Sequence, residues 1–138
     1  MPTILVIDDE TTICQLLGDV LEDAGYEVIA ARNGREGVEI LKTMLVDLVL
    51  CDVMMPLMDG PTFVSVLRAT PQTRHIPVIL MSAAATAAAA TAAQRGVSFL
   101  PKPFTLPAVL AVVAQALDDR AGPALRIGEQ ENGTTLSA

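Results

Sequence analysis

A chain of 138 residues, 51% of them hydrophobic, is one domain's worth of material with ample side chains for a core. Its net charge of −7 argues against direct binding to nucleic acid or to an anionic membrane, since both want a basic surface. Cys14 and Cys51 have no metal or redox spacing, no signal-peptide pattern opens the chain, and no apolar run is long enough for a membrane span. Reduced thiols and a cytoplasmic location are therefore expected.

In chain order, strand and helix patterns alternate. Residues 4–7 are an apolar strand running into Asp8-Asp9-Glu10. A helix is predicted over 10–24, with Ile13, Leu16, Leu17, Val20 and Leu21 at helical spacing and Gly25 as its stop. A weaker strand over 26–31 follows, then Asn33-Gly34 as a turn or cap before a helix over 35–44. Residues 46–53 form a third strand with a single charge before its end, the pattern of a strand buried on both faces, and it ends at Asp52. Pro56 and Gly60 mark a loop, and Pro61 suits the first turn of a helix over 61–69. A fourth strand over 77–81 ends at Ser82.

Residues 83–93 are alanine except for Thr86 and Thr91, so a helix should form locally while burying little area. A short fifth strand over 97–100 leads into Pro101-Lys102-Pro103. Leu106, Leu110, Val113 and Leu117 are expected to line a last helix, with Gly122-Pro123 breaking it. Residues 1–118 thus read as the domain and 119–138 as a mostly flexible tail.

Five βα units in this length predict an α/β fold: a doubly wound, five-stranded parallel sheet in the flavodoxin-like order 2-1-3-4-5, written (βα)5. Its switch point lies between the first and third strands, where Asp8, Asp9 and Asp52 would meet. Three adjacent carboxylates raise one another's pKa, and a hard divalent cation such as Mg²⁺ relieves the repulsion. Ser82 and Lys102, from neighbouring strand ends, would complete a set of groups suited to phosphoryl transfer. Each residue also has a plainer reading: Asp8-Asp9-Glu10 as an acidic first helical turn, Ser82 as a helix cap, Lys102 as a solvated lysine.

Over roughly residues 3–118 the chain resembles the receiver domain of two-component response regulators, through ILVIDDE, CDVMMPLMDG, the strand ending at Ser82-Ala83, and FLPKPF. The resemblance implies that Asp52 is a phospho-acceptor, charged by a sensor histidine kinase or a histidine phosphotransfer protein. It implies Mg²⁺ on Asp8, Asp9, Asp52 and the main-chain carbonyl of Met54, with Lys102 pairing a phosphate oxygen. Ser82 and Phe99 then match the family's switch residues, and the Lys102–Pro103 bond one that is usually cis. The expected function is a stand-alone, phosphorylation-dependent signalling switch, not an enzyme on an external substrate. A downstream protein or a second copy would bind the 83–118 face. The rival reading is a pseudo-receiver, a constitutive interaction module that never takes phosphate.

Overall fold

The computed structural model describes residues 1–83 and 97–129, with side chains up to residue 119. The predicted 83–93 helix therefore falls almost wholly outside the described residues, and with it part of the 83–118 face. Five strands, β1 (Thr3–Ile7), β2 (Glu27–Ala31), β3 (Leu48–Asp52), β4 (Val78–Ser82) and β5 (Ser98–Pro101), form one sheet. All pairings are parallel and the order is β2-β1-β3-β4-β5, as the alternation of elements predicted. The described helices are α1 (Thr11–Asp23), α2 (Gly34–Leu41), α3 (Gly60–Ala69) and α4 (Leu106–Glu129).

Strand alternation sorts the core into two layers. Ile4, Val6, Leu48, Leu50, Ile79, Met81 and Leu100 face α1 and α4, packing on Cys14, Leu17, Leu21, Val109, Val113 and Ala116. Leu5, Ile7, Val49, Cys51, Val78 and Leu80 face the other way, onto Phe63, Val64 and Leu67 of α3 and the partly buried Val38 and Leu41 of α2. Both cysteines are buried and free, as expected of core thiols. Among the described residues no helix is long and apolar enough to cross a membrane.

Three local expectations need correction. The last helix buries Val109, Val113 and Ala116, whereas Leu106 is 40% exposed and Leu110 and Leu117 are only partly buried. Small and β-branched side chains take the line of closest approach to the sheet, and the longer leucines flank it. The same rotation occurs in α1, where Cys14, Leu17 and Leu21 pack on the sheet and Leu16 is 42% exposed; the Cys14 thiol also reaches the Asp8 carbonyl at 3.3 Å. Finally, α4 continues through Gly122-Pro123 to Glu129. A proline in a helix interior removes one backbone donor and its ring crowds the carbonyl four residues earlier, and glycine is the next weakest helix former, so the helix continues here against local propensity.

Other boundaries moved by a residue or three. The helix expected to reach 44 ends at Leu41, where the next bonds tighten: the Lys42 and Thr43 amides donate to the Glu39 and Ile40 carbonyls at 3.2 and 3.1 Å. Asn33 is its cap, its side chain accepting from the Glu36 amide at 2.8 Å.

Two glycines near α1 differ in kind. Gly18 lies inside the helix, and a Cβ there would meet only Val28 Cγ1 at 3.9 Å. Gly25, after the helix, has φ +99°, which side chains rarely adopt. Gly18→Ala is expected to raise Tm by about 3 °C, from roughly 1 kcal/mol of helix propensity. Gly25→Ala should lower it by about the same or more, although nothing lies within 4 Å of its Cβ. Thermal unfolding of the two variants checks both signs.

Candidate functional site

Parallel pairing puts the carboxyl ends of β1 and β3 side by side, with Ile7 opposite Cys51, so the residue after β1 and the last residue of β3 are neighbours. These are Asp8 and Asp52. Asp8 is fully buried and Asp52 is 7% exposed. With Asp9, which is exposed, each offers an oxygen such that all three oxygens lie within 4.8 Å of one another. The predicted meeting of Asp8, Asp9 and Asp52 is therefore observed.

Lys102, just past β5, is drawn into the same cluster. Its Nζ lies 2.9 Å from Asp8 Oδ2 and 3.2 Å from Asp52 Oδ1, with Glu10 Oε1 further out at 3.8 Å. The solvated-lysine reading is thus excluded, since the side chain is only 15% exposed. The Lys102 amide donates to the Ser82 carbonyl at 2.9 Å, which ties the lysine's loop to the end of β4, and the Lys102–Pro103 bond is cis. Ser82 itself is buried beside the cluster, one residue beyond the Asp52–Met81 pair. Phe99 is partly buried and packs on the opposite core layer, with Leu80 as its strand partner.

Asp8 is held on all sides. Its Oδ1 accepts from the Glu10 amide at 3.0 Å, Oδ2 takes the Lys102 ammonium, and its backbone amide donates to the Ala31 carbonyl at 3.1 Å. A cleft of about 440 Å³ opens beside Asp9, lined also by Val53, Met54, Met55, Pro56, Asp59 and Pro61. Met54 is 71% exposed there. Asp59 did not emerge from the sequence as a cleft residue. It caps α3, accepting from the Thr62 amide at 2.9 Å, and an Asp immediately before Gly60-Pro61 was the available signal. Cys14, whose thiol lies against the Asp8 carbonyl, and Glu10, near Lys102, were likewise not assigned to the site by the sequence.

Burial raises the pKa of Asp52, and the charge of Asp8 raises it further; Lys102 opposes both without cancelling them. For Lys102, burial alone would lower the pKa, but the hydrogen bond and charge of Asp8, then Asp52, outweigh it and leave it raised. Cys51 is pushed well up by burial first and then by the Asp52 charge, so its thiol stays protonated and inert. One ammonium among three carboxylates leaves two negative charges uncompensated. An all-oxygen donor set with that deficit fits a hard divalent cation such as Mg²⁺.

A family model described as "Response regulator receiver domain" matches residues 4–114. The chain is 37% identical over 121 residues to the transcriptional regulatory protein GlrR of Escherichia coli strain K12, covering 86% of this chain and 27% of that protein. It is 28% identical over 119 residues to the polar-differentiation response regulator DivK of Brucella anthropi, covering 85% of this chain and 97% of that one. Among solved structures, the chemotaxis protein CheY4 of Vibrio cholerae superposes with a TM-score of 0.78 at 30% identity, covering 84% and 98% of the two chains. The chain spans about a quarter of the length of GlrR.

An acid whose folded pKa is raised binds its proton more tightly folded than unfolded. Stability from that proton is present below the unfolded value and is lost as pH rises through the raised folded one. Asp52→Asn removes the charge that causes this loss. In metal-free buffer at neutral pH the variant should melt a few degrees above the parent, and the gap should close as pH falls below the ordinary Asp value of 3.8. Melting curves of both proteins across pH check the sign.

Proposed function

The chain belongs to the response regulator receiver family of two-component signalling, and from that premise we propose that it is a phosphorylation-dependent switch whose acceptor is Asp52. The observation that carries this reading is Lys102 held within 3.2 Å of Asp52 and 2.9 Å of Asp8 in one buried cluster. A constitutive interaction module would have no use for two buried carboxylates whose charge is only partly compensated.

In the proposed transfer an Asp52 carboxylate oxygen attacks the phosphorus of a phosphohistidine on a kinase or phosphotransfer protein. The N–P bond breaks, the imidazole leaves with its electron pair, and an acyl phosphate remains on Asp52. Asp8, Asp9 and Asp52, together with the Met54 main-chain carbonyl that the family resemblance implies, would hold Mg²⁺, which when bound would supply positive charge for the phosphoryl oxygens. Asp8 holds the Lys102 ammonium beside the acceptor, where it pairs with incoming negative charge. Burial by the strand ends keeps these charges in low dielectric, where each is worth more than in water.

Ser82 and Phe99 are the proposed switch pair. A phosphoryl group adds about −1.5 to −2 charges and three acceptor oxygens at Asp52, enough to recruit a hydroxyl from the neighbouring strand end. Ser82 and Phe99 lie on adjacent strands, so a move of one changes the packing available to the other. The altered surface would then bind a downstream protein or a second copy, and the protein would act on no substrate beyond its own acceptor. A cytoplasmic location fits such partners.

Incubation with acetyl phosphate and Mg²⁺, read by intact mass, should add one phosphoryl group to the parent and none to Asp52→Asn. Asp9→Ala should weaken Mg²⁺ binding by about tenfold or more while leaving the fold intact. Stoichiometric labelling of Asp52→Asn, or unchanged Mg²⁺ affinity in Asp9→Ala, would overturn the respective assignment.

A further inference from the structure

The start of α3 rests directly on the acceptor's own peptide. A Cβ built on Gly60 would lie 2.7 Å from the Asp52 carbonyl oxygen, 2.9 Å from Val53 Cα and 3.1 Å from Leu80 Cδ2. The first two are backbone atoms, which cannot swing aside as a side-chain tip can. Gly60 is a helical residue and its φ is not in the left-handed region, so glycine is not there for backbone freedom. Space is what the position demands. The approach is also bonded, since the Gly60 amide donates to the Val53 carbonyl at 2.9 Å.

The loop between Asp52 and Gly60 is fastened from its other side. Leu57 has φ +70°, and the Met58 amide donates to the Pro56 carbonyl at 2.7 Å, which makes a three-residue γ-turn centred on a branched side chain. Leu57 is 74% exposed, so its side chain does not hold the turn. Met58 does: it lies against Gly34 at the head of α2, where a Cβ would meet Met58 Cγ and its carbonyl oxygen at 3.0 Å and Sδ at 3.1 Å.

We propose that Gly60 is a positioning residue for phosphoryl transfer. With no side chain at this position, α3 seats on the Asp52–Val53 peptide and fixes the acceptor carboxylate against Lys102 and Asp8, while Met58 on Gly34 holds the loop down. The proposal rests on Asp52 being the acceptor. An added methyl pushes on the acceptor's own carbonyl, and the carboxylate, on the same residue, moves with it. Displacements approaching 1 Å cost on the order of 10²-fold in rate, because the reacting atoms must meet in line.

The test uses the full chain with acetyl phosphate and saturating Mg²⁺, following the rate of labelling by intact mass against donor concentration. Gly60→Ala should lose about tenfold or more in the saturating rate, with the half-saturating donor concentration within roughly twofold of the parent. Leu57→Gly relieves the turn, so by itself it should melt higher and label at a rate close to the parent. In the Leu57→Gly, Gly60→Ala double variant it offsets lost stability, so that the rate is read on folded protein. Met58→Ala, which loosens the fastening without adding bulk, should slow labelling by roughly two- to fivefold. A double variant that folds and labels as fast as the parent overturns the proposal. If Gly60→Ala fails to fold in either background, Met58→Ala decides, and parental labelling there overturns it equally. An unlabelled parent, or labelling of Asp52→Asn, would instead remove the acceptor assignment.

Discussion

The Lys102 ammonium, wedged between the carboxylates of Asp8 and Asp52, is the contact on which the site depends. Asp8 is fully buried and Asp52 nearly so, so two like charges sit side by side where water screens them poorly. The lysine satisfies one charge and shares itself with the other. What is left at Asp52 is a carboxylate whose ionised form is still held at a cost, as its raised pKa indicates. A group in that condition gains from any event that brings in a cation or changes its own charge.

The parallel sheet makes this arrangement sustainable. Asp8, Asp52 and Lys102 each follow or end a strand whose preceding residues are locked in both core layers. Their backbones are therefore fixed by apolar burial, which is indifferent to the charge state of the site. The β3–α3 loop adds rigidity from outside, through contacts of Gly60 on Asp52 and Met58 on Gly34. Asp9 and Met54, by contrast, are exposed around the neighbouring cleft, where an ion or a donor can reach them.

Much of this was legible in the sequence because the strands are short apolar runs that end in charge. Ile4 to Ile7 before Asp8, and Leu48 to Cys51 before Asp52, carry both the sheet and the chemistry in one pattern. Strand order put Lys102 and Ser82 at neighbouring strand ends, but only the ion pairs to Asp8 and Asp52 separate Lys102 from a solvated lysine. Periodicity was less informative for helix faces, since alanine, valine and cysteine compete with leucine for the tightest contact; hence Val109 and Ala116 are buried and Leu106 is not. The run of α4 through Gly122-Pro123 was hidden because both residues disfavour a helix interior, so local propensity points to a stop there. The Leu57 turn and the Gly60 contact are tertiary facts: nothing in a leucine or a helix-starting glycine announces what backbone lies opposite.

Carboxyl ¹³C NMR titration of the aspartates, with and without Mg²⁺, tests the central claim most directly. In metal-free protein the resonance that is missing from the Asp52→Asn spectrum should titrate above the ordinary Asp value of 3.8. Mg²⁺ should move that midpoint down, because a divalent cation favours the ionised form. An Asp52 that titrates at or below its ordinary value without metal, or that ignores Mg²⁺, would contradict the account.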